Sequence, residues 1–214
     1  MVLDLLVIGT AITLGPLHNS AFILLLSSPR GVRQGLAFLL SWLANLIAVI
    51  ACVMLLTGGQ PPARHSAPST AAAAVKLAIG LALAFYGAYR HRRPPRPHGP
   101  PRWKARIDEA SPVTAAGLAW VLQPWGLVGA GAATAVDANL STVADWLALT
   151  GYCLLATLSL IVMEMYTLWA PTAAHARLNA LCNWTDRHQE QLIVTLSLLA
   201  GLWLTARSIY DLVS

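Results

Sequence analysis

The sequence predicts an all-α membrane protein of six transmembrane helices, arranged as two inverted three-helix repeats. Three observations carry that prediction. First, 57% of the 214 residues are hydrophobic and only 11% are charged, with a mean hydropathy of +0.60. A soluble domain averages about 25% charged residues, so an aqueous fold would leave too little polar surface. Second, the apolar residues gather into about six runs of roughly 20 residues or more, each long enough to cross a hydrocarbon core of about 30 Å. Third, Pro16 and Pro124 each interrupt the first apolar span of a half, 108 residues apart in a chain of 214. Broken helices at matching places in two halves are the sequence sign of a binding site near the membrane midplane.

The elements follow in order from their breakers. The first helix spans 4–27 and carries Gly15-Pro16-Leu17-His18-Asn19 in its interior; Ser27-Ser28-Pro29-Arg30-Gly31 makes the turn after it. The beginning of the chain, Met1-Val2-Leu3-Asp4, lacks a basic region and an Ala-x-Ala-like cleavage site, so this stretch reads as a permanent helix. The second helix, 35–57, ends at Gly58-Gly59-Gln60-Pro61-Pro62, and the third covers 69–90. Residues 91–111 hold Pro94, Pro95, Pro97, Pro100 and Pro101 and form a connection that mixes extended segments with a short amphipathic piece. The fourth helix, 112–136, carries Gln123-Pro124-Trp125-Gly126; the fifth spans 142–169, and the sixth 189–212, after a connection over 171–188. The chain therefore divides into a first half (1–90), a basic loop (91–111) and a second half (112–214).

Basic residues set the orientation. The first, third and fifth connections hold 11 of the 14 Lys and Arg residues, including Arg30, Arg33, Arg90, Arg92, Arg93, Arg96, Arg102, Lys104 and Arg106. The positive-inside rule puts these connections in the cytoplasm and both termini outside. It also accounts for a pI near 9.5 without any nucleic-acid partner. The arginines of the 91–111 loop read as topology determinants and lipid-headgroup contacts. With three helices per half, the halves run in opposite directions, as an inverted repeat requires.

Few polar residues lie inside the spans. A proline removes a helix hydrogen bond and clashes with the carbonyl four residues earlier, here that of Ile12 and of Trp120. In lipid such a carbonyl must face protein, a donor or a wet cavity; Thr13, His18, Asn19 and Gln123 are near enough to serve. His18 is the one histidine inside a span. It either bonds to a neighbouring helix or binds a proton, a metal or a polar headgroup. No His, Asp, Glu or Cys stands three or four residues after it, so no metal site is expected. Glu164 shares a helical face with Thr157 and Ile161; it is either a functional carboxylate or one that reaches the headgroups. Ser41 and Asn45 share one face, for packing or for cavity lining. Asp4, Asp137, Asp145 and Asp211 read as solvated caps at the outer interface. Trp103, Trp146, Trp169 and Trp184 fit an interfacial belt, and Cys52, Cys153 and Cys182 are isolated packing residues. No phosphate-binding loop, Gly-x-Ser-x-Gly or His-Glu-x-x-His element occurs, so an enzyme is not the expected class and no cofactor is implied.

Several strings together resemble one family. Gly15-Pro16-Leu17 followed by Leu24-Leu25-Leu26-Ser27-Ser28-Pro29-Arg30 resembles the first helix and turn of the GAP family, the sulfolipid- and peptidoglycolipid-addressing proteins of actinobacteria within the lysine-exporter (LysE) superfamily. Gly35-Leu36-Ala37-Phe38-Leu39-Leu40-Ser41-Trp42, Lys76-Leu77-Ala78-Ile79-Gly80, and Pro101-Arg102-Trp103 with Asp108 follow in the family's order, as do Pro171, Trp184 and His188. The resemblance implies a six-helix inner-membrane protein that helps move cell-envelope glycolipids, or, as in sister families, exports amino acids or cations. It departs where Gln123-Pro124-Trp125 replaces the usual Asn-Pro-Lys, which removes an intramembrane positive charge. The expected site is then a cavity lined by Pro16, His18, Asn19, Asn45, Gln123, Pro124 and Glu164. The expected partners are membrane lipids, envelope-lipid synthesis or export proteins, and a second copy of the chain. A scaffold acting through the arginine-rich loop and a lipid enzyme using His18 and Glu164 are the competing classes.

Overall fold

The computed structural model describes residues 2–56, 70–92, 110–137 and 143–213, and every regular element among them is an α-helix. The order is α1 (Val2–Thr13), α2 (Pro16–Leu26), α3 (Gly31–Leu56), α4 (Thr70–His91), α5 (Pro112–Leu122), α6 (Trp125–Asp137), α7 (Val143–Trp169) and α8 (Pro171–Val213). Four helices are long and apolar enough to cross a membrane. The pairs α1–α2 and α5–α6 each pass the same test together, bent by 49° and 71° at their breaks. The outer faces are apolar: Phe85, Val113 and Trp169 are each more than three-quarters exposed. Such a surface would be an aggregation liability in water and suits lipid. The chain is a multi-pass membrane protein.

The two expected broken helices are thus real breaks. The last connection is not a loop, however: α8 begins at Pro171 and runs through the predicted 171–188 connection without interruption. A proline is tolerated in a helix's first turn, where its missing N–H would have no partner. Ala174, Leu178, Cys182 and Thr185 then form one buried stripe at helical spacing. At 43 residues, α8 is about 64 Å long, roughly twice the hydrocarbon thickness.

The two ends of the bundle differ. At one end the turn after α2 meets the starts of α5 and α8. Ser28 Oγ donates to the Leu25 carbonyl at 2.7 Å and lies against the Gln34 side-chain oxygen, and Gln34 Nε2 donates to the carbonyl of Ala110. At the other end, Asp4 is buried and accepts from Trp203 Nε1 at 3.2 Å, with Arg207 Nε 3.6 Å away. Asp4 is therefore not a solvated cap; it ties the start of α1 to α8.

Packing exchanges elements between the halves. α1 lies along α7 and α5 along α3; α2 packs on α8 and α6 on α4. The most extensive contact is α4 with α8. Small residues let those backbones meet: a Cβ on Gly201 would stand 2.5 Å from the Ala84 nitrogen, and one on Gly80 2.8 Å from that of Thr205. The core between the halves is built on Phe22, Phe38, Trp42, Leu46 and Leu160.

Candidate functional site

Each break is set by a residue before proline. Steric conflict with the proline ring drives that residue out of the helical region. Gly15 takes φ −58°, ψ 123° and Gln123 takes φ −64°, ψ 133°. Helix α2 then restarts with Pro16 in its first turn, and α6 restarts at Trp125, immediately after Pro124. At the first break the Gly15 amide donates to the Ile12 carbonyl at 3.0 Å. Asn19 Nδ2 donates to the Thr13 carbonyl at 2.8 Å, while its Oδ1 accepts from Ser159 Oγ at 2.9 Å. Thr13 Oγ1 donates to the Leu155 carbonyl. These contacts pin the first break to α7. At the second break the Trp125 amide donates to the Gln123 carbonyl at 2.9 Å, and the Trp120 and Trp125 rings meet edge to face at 5.3 Å.

Both breaks open into one cavity of about 290 Å³. Gly15, Pro16, Leu17 and His18 line one side, Leu122, Gln123 and Pro124 another, and α8 adds Leu196, Ser197 and Ala200; the hollow is partly open, with Leu17 and Val121 exposed at its rim. His18 and Gln123 are 2% and 3% exposed, yet His18 Nε2 and both polar atoms of the Gln123 amide have no hydrogen-bond partner among the described residues. A buried polar group without a partner costs about 1–3 kcal/mol, and His18 and Gln123, both of which line the cavity, are the groups that water or a ligand there would satisfy. The His18 ring is held against Trp42, with centroids 4.5 Å apart, and Trp42 stacks on Phe38 at 5.9 Å. Gly15 leaves room for that ring: a Cβ there would stand 2.9 Å from His18 Nδ1.

The pocket is lined mostly by apolar side chains, with His18, Gln123 and Ser197 as its polar residues. No Lys, Arg, Asp or Glu lines it among the described residues. A neutral imidazole offers one donor and one acceptor, and the Gln123 amide two donors and an acceptor. Two helix starts, of α2 and α6, add amides without helical partners and a partial positive charge. The site can therefore hold a neutral or weakly anionic polar group with several acceptors. Among the described residues, no three His, Cys, Asp or Glu side chains converge to hold a metal.

The structure brings Pro16, His18, Gln123 and Pro124 together and leaves the other expected residues apart. Asn19 is spent on the break and on Ser159. Asn45, one turn beyond Trp42 on α3, buries its Nδ2 without a partner but does not line the cavity. Glu164 is 3% exposed with both oxygens unpartnered among the described residues, packed against Gly35 and Leu26 rather than in the cavity. Ser41 Oγ donates to the Ala116 carbonyl at 2.9 Å, a contact between α3 and α5. Arg90 pairs with Glu190 at 3.4 Å and lies over Tyr86, while Arg92 is exposed; Arg93, Arg96, Arg102, Lys104 and Arg106 lie outside the described residues. Sequence reasoning missed Ser197, a lone serine in an apolar run, and the backing role of Trp42.

The sequence pattern of Sap, the sulfolipid-1-addressing protein, matches residues 5–210. The chain belongs to this family. The match takes in both breaks and every residue lining the cavity, so the sulfolipid-1-addressing family resemblance covers the site. No curated protein and no solved structure gives a significant match.

Proposed function

We propose that the protein moves a cell-envelope glycolipid or similar amphiphile across, or out of, the inner membrane, with the polar part of that molecule bound between the two helix breaks. The observation that carries this reading is the single cavity in which both breaks, His18 and Gln123 meet with polar atoms unpartnered. Membership of a family named for addressing a sulfolipid supports a lipid cargo. Among the described residues no charged side chain lines the cavity, which favours an amphiphile over export of a cation or an amino acid, since either would need a countercharge in a low-dielectric site.

The reading includes an inverted repeat of two three-span halves, as in the LysE superfamily. What supports it is reciprocal packing: exchanging the halves turns the α1–α7 contact into α5–α3 and the α2–α8 contact into α6–α4, while α4–α8 and α3–α7 map onto themselves. Alternating access would then rock one half against the other around the cavity. Both termini lie outside and the arginine-bearing turns lie in the cytoplasm, by the positive-inside rule.

The test uses a bacterial strain whose only copy is wild type or carries His18→Leu with Gln123→Leu, and mass spectrometry of surface-extracted glycolipids. The double variant is expected to match a deletion strain at unchanged protein level. A wild-type surface pool in the double variant would remove the cavity from the mechanism.

A further inference from the structure

A second hollow of about 290 Å³ lies between α1 and α8, lined by Leu6, Val7, Thr10, Leu14, Leu196 and Leu199, with Ala11 and Ala200 at its base. It shares Ala11, Leu196 and Ala200 with the cavity of the helix breaks, so the two hollows adjoin across a wall of two alanines and a leucine. Its surface is mostly hydrocarbon. Even Thr10 turns its hydroxyl back to the Leu6 carbonyl at 2.7 Å, which satisfies that donor within α1 and leaves the methyl group to the groove. The rim faces the bilayer: Leu6, Leu14 and Leu199 are 48%, 53% and 64% exposed. The groove exists because α1 packs mainly on α7 and touches α8 only sparsely.

We propose that this groove holds a hydrocarbon chain of the same molecule whose polar group occupies the cavity, so that the ligand is bound half in the protein and half in the lipid. The inference rests on the proposed function and adds a binding site and a route to it. The occupant follows from position. A hollow that carries the polar side chains of His18, Gln123 and Ser197 and adjoins a lipid-facing apolar groove lets an amphiphile enter sideways with its chain never leaving hydrocarbon, which avoids a cost of about 0.8 kcal/mol per methylene exposed to water. The small side chains of Ala11 and Ala200 keep the wall between the hollows thin; a larger residue at either position would thicken it.

Two photoactivatable probes built on an uncharged glycosyl diacylglycerol test this in nanodiscs, one with the reactive group at the end of an acyl chain and one with it on the sugar headgroup. The chain probe is expected to label Leu6, Leu14 and Leu199 several-fold above Leu154 and Leu158, lipid-facing residues of α7. That preference should fall to the α7 level in Leu199→Trp and in Leu14→Trp, both at exposed positions that fold without repacking, and in the His18→Leu, Gln123→Leu double variant. The headgroup probe should label Leu17 or Leu122. Cavity labelling by the headgroup probe with no chain preference for the groove overturns the inference and leaves the proposed function standing. Groove labelling that persists in the double variant also overturns it, because the chain then belongs to bulk lipid. Failure of the headgroup probe to label the cavity overturns the proposed function, and the inference with it.

Discussion

Replacing Gln123 by leucine should abolish function without destabilising the fold. Gln123 is 3% exposed and neither Oε1 nor Nε2 has a protein partner among the described residues. Its amide is therefore buried for a purpose other than holding helices together. An unsatisfied buried amide costs about 1–3 kcal/mol in protein mutational data, and leucine has a similar volume without that cost. If cavity water already satisfies the amide, the gain shrinks towards zero. The expected change in unfolding free energy thus runs from about zero to about 3 kcal/mol in favour of Gln123→Leu. Thermal unfolding of purified protein in detergent, at one protein and detergent concentration, reads the effect. The surface glycolipid pool reads function. A loss of stability of about 1 kcal/mol or more would refute the reasoning, because it would mean that Gln123 makes structural hydrogen bonds.

Other residues should behave in contrasting ways. Asn19→Ala removes the bonds to Thr13 and Ser159 and should lower stability in the same melt by about 1–2 kcal/mol, given about 0.6 kcal/mol per interhelical bond in membranes plus the carbonyl left bare. Gly201→Val drives a side chain into the Ala84 and Gly80 backbones and should cost about 3 kcal/mol or more, read as loss of folded protein on size-exclusion chromatography. Arg90→Gln, by contrast, removes a half-exposed ion pair and should change stability by less than about 1 kcal/mol.

How much of this was legible in the sequence depends on whether the cause is local. The breaks were legible because a proline constrains its own φ and the residue before it, whatever the rest of the fold does. Their meeting in one cavity was not, since it depends on α1 docking on α7 and α5 on α3. Asn19 illustrates the difference. It was expected near the cavity, yet the carbonyl that needs its amide belongs to Thr13, while Ile12 is satisfied by the Gly15 amide. Glu164 shares a face with Thr157, but it lies five residues beyond Ser159, the α7 contact of the first break. At 1.5 Å per residue that is about 7 Å further along the helix, which takes it to Gly35 near the turn. The continuity of α8 was legible in principle: the 174, 178, 182, 185 spacing is helical, and Pro171 misled because a proline starts helices as readily as it ends them.

The central claim is that His18 and Gln123 are left unpartnered in order to bind something that is not protein. A cryo-electron-microscopy structure of the protein in lipid nanodiscs, at a resolution that shows ordered water, tests it most directly. Non-protein density is expected within hydrogen-bonding distance of His18 Nε2 and the Gln123 amide, in a cavity reached by both breaks. A closed cavity in which both side chains bond to neighbouring protein groups would contradict it.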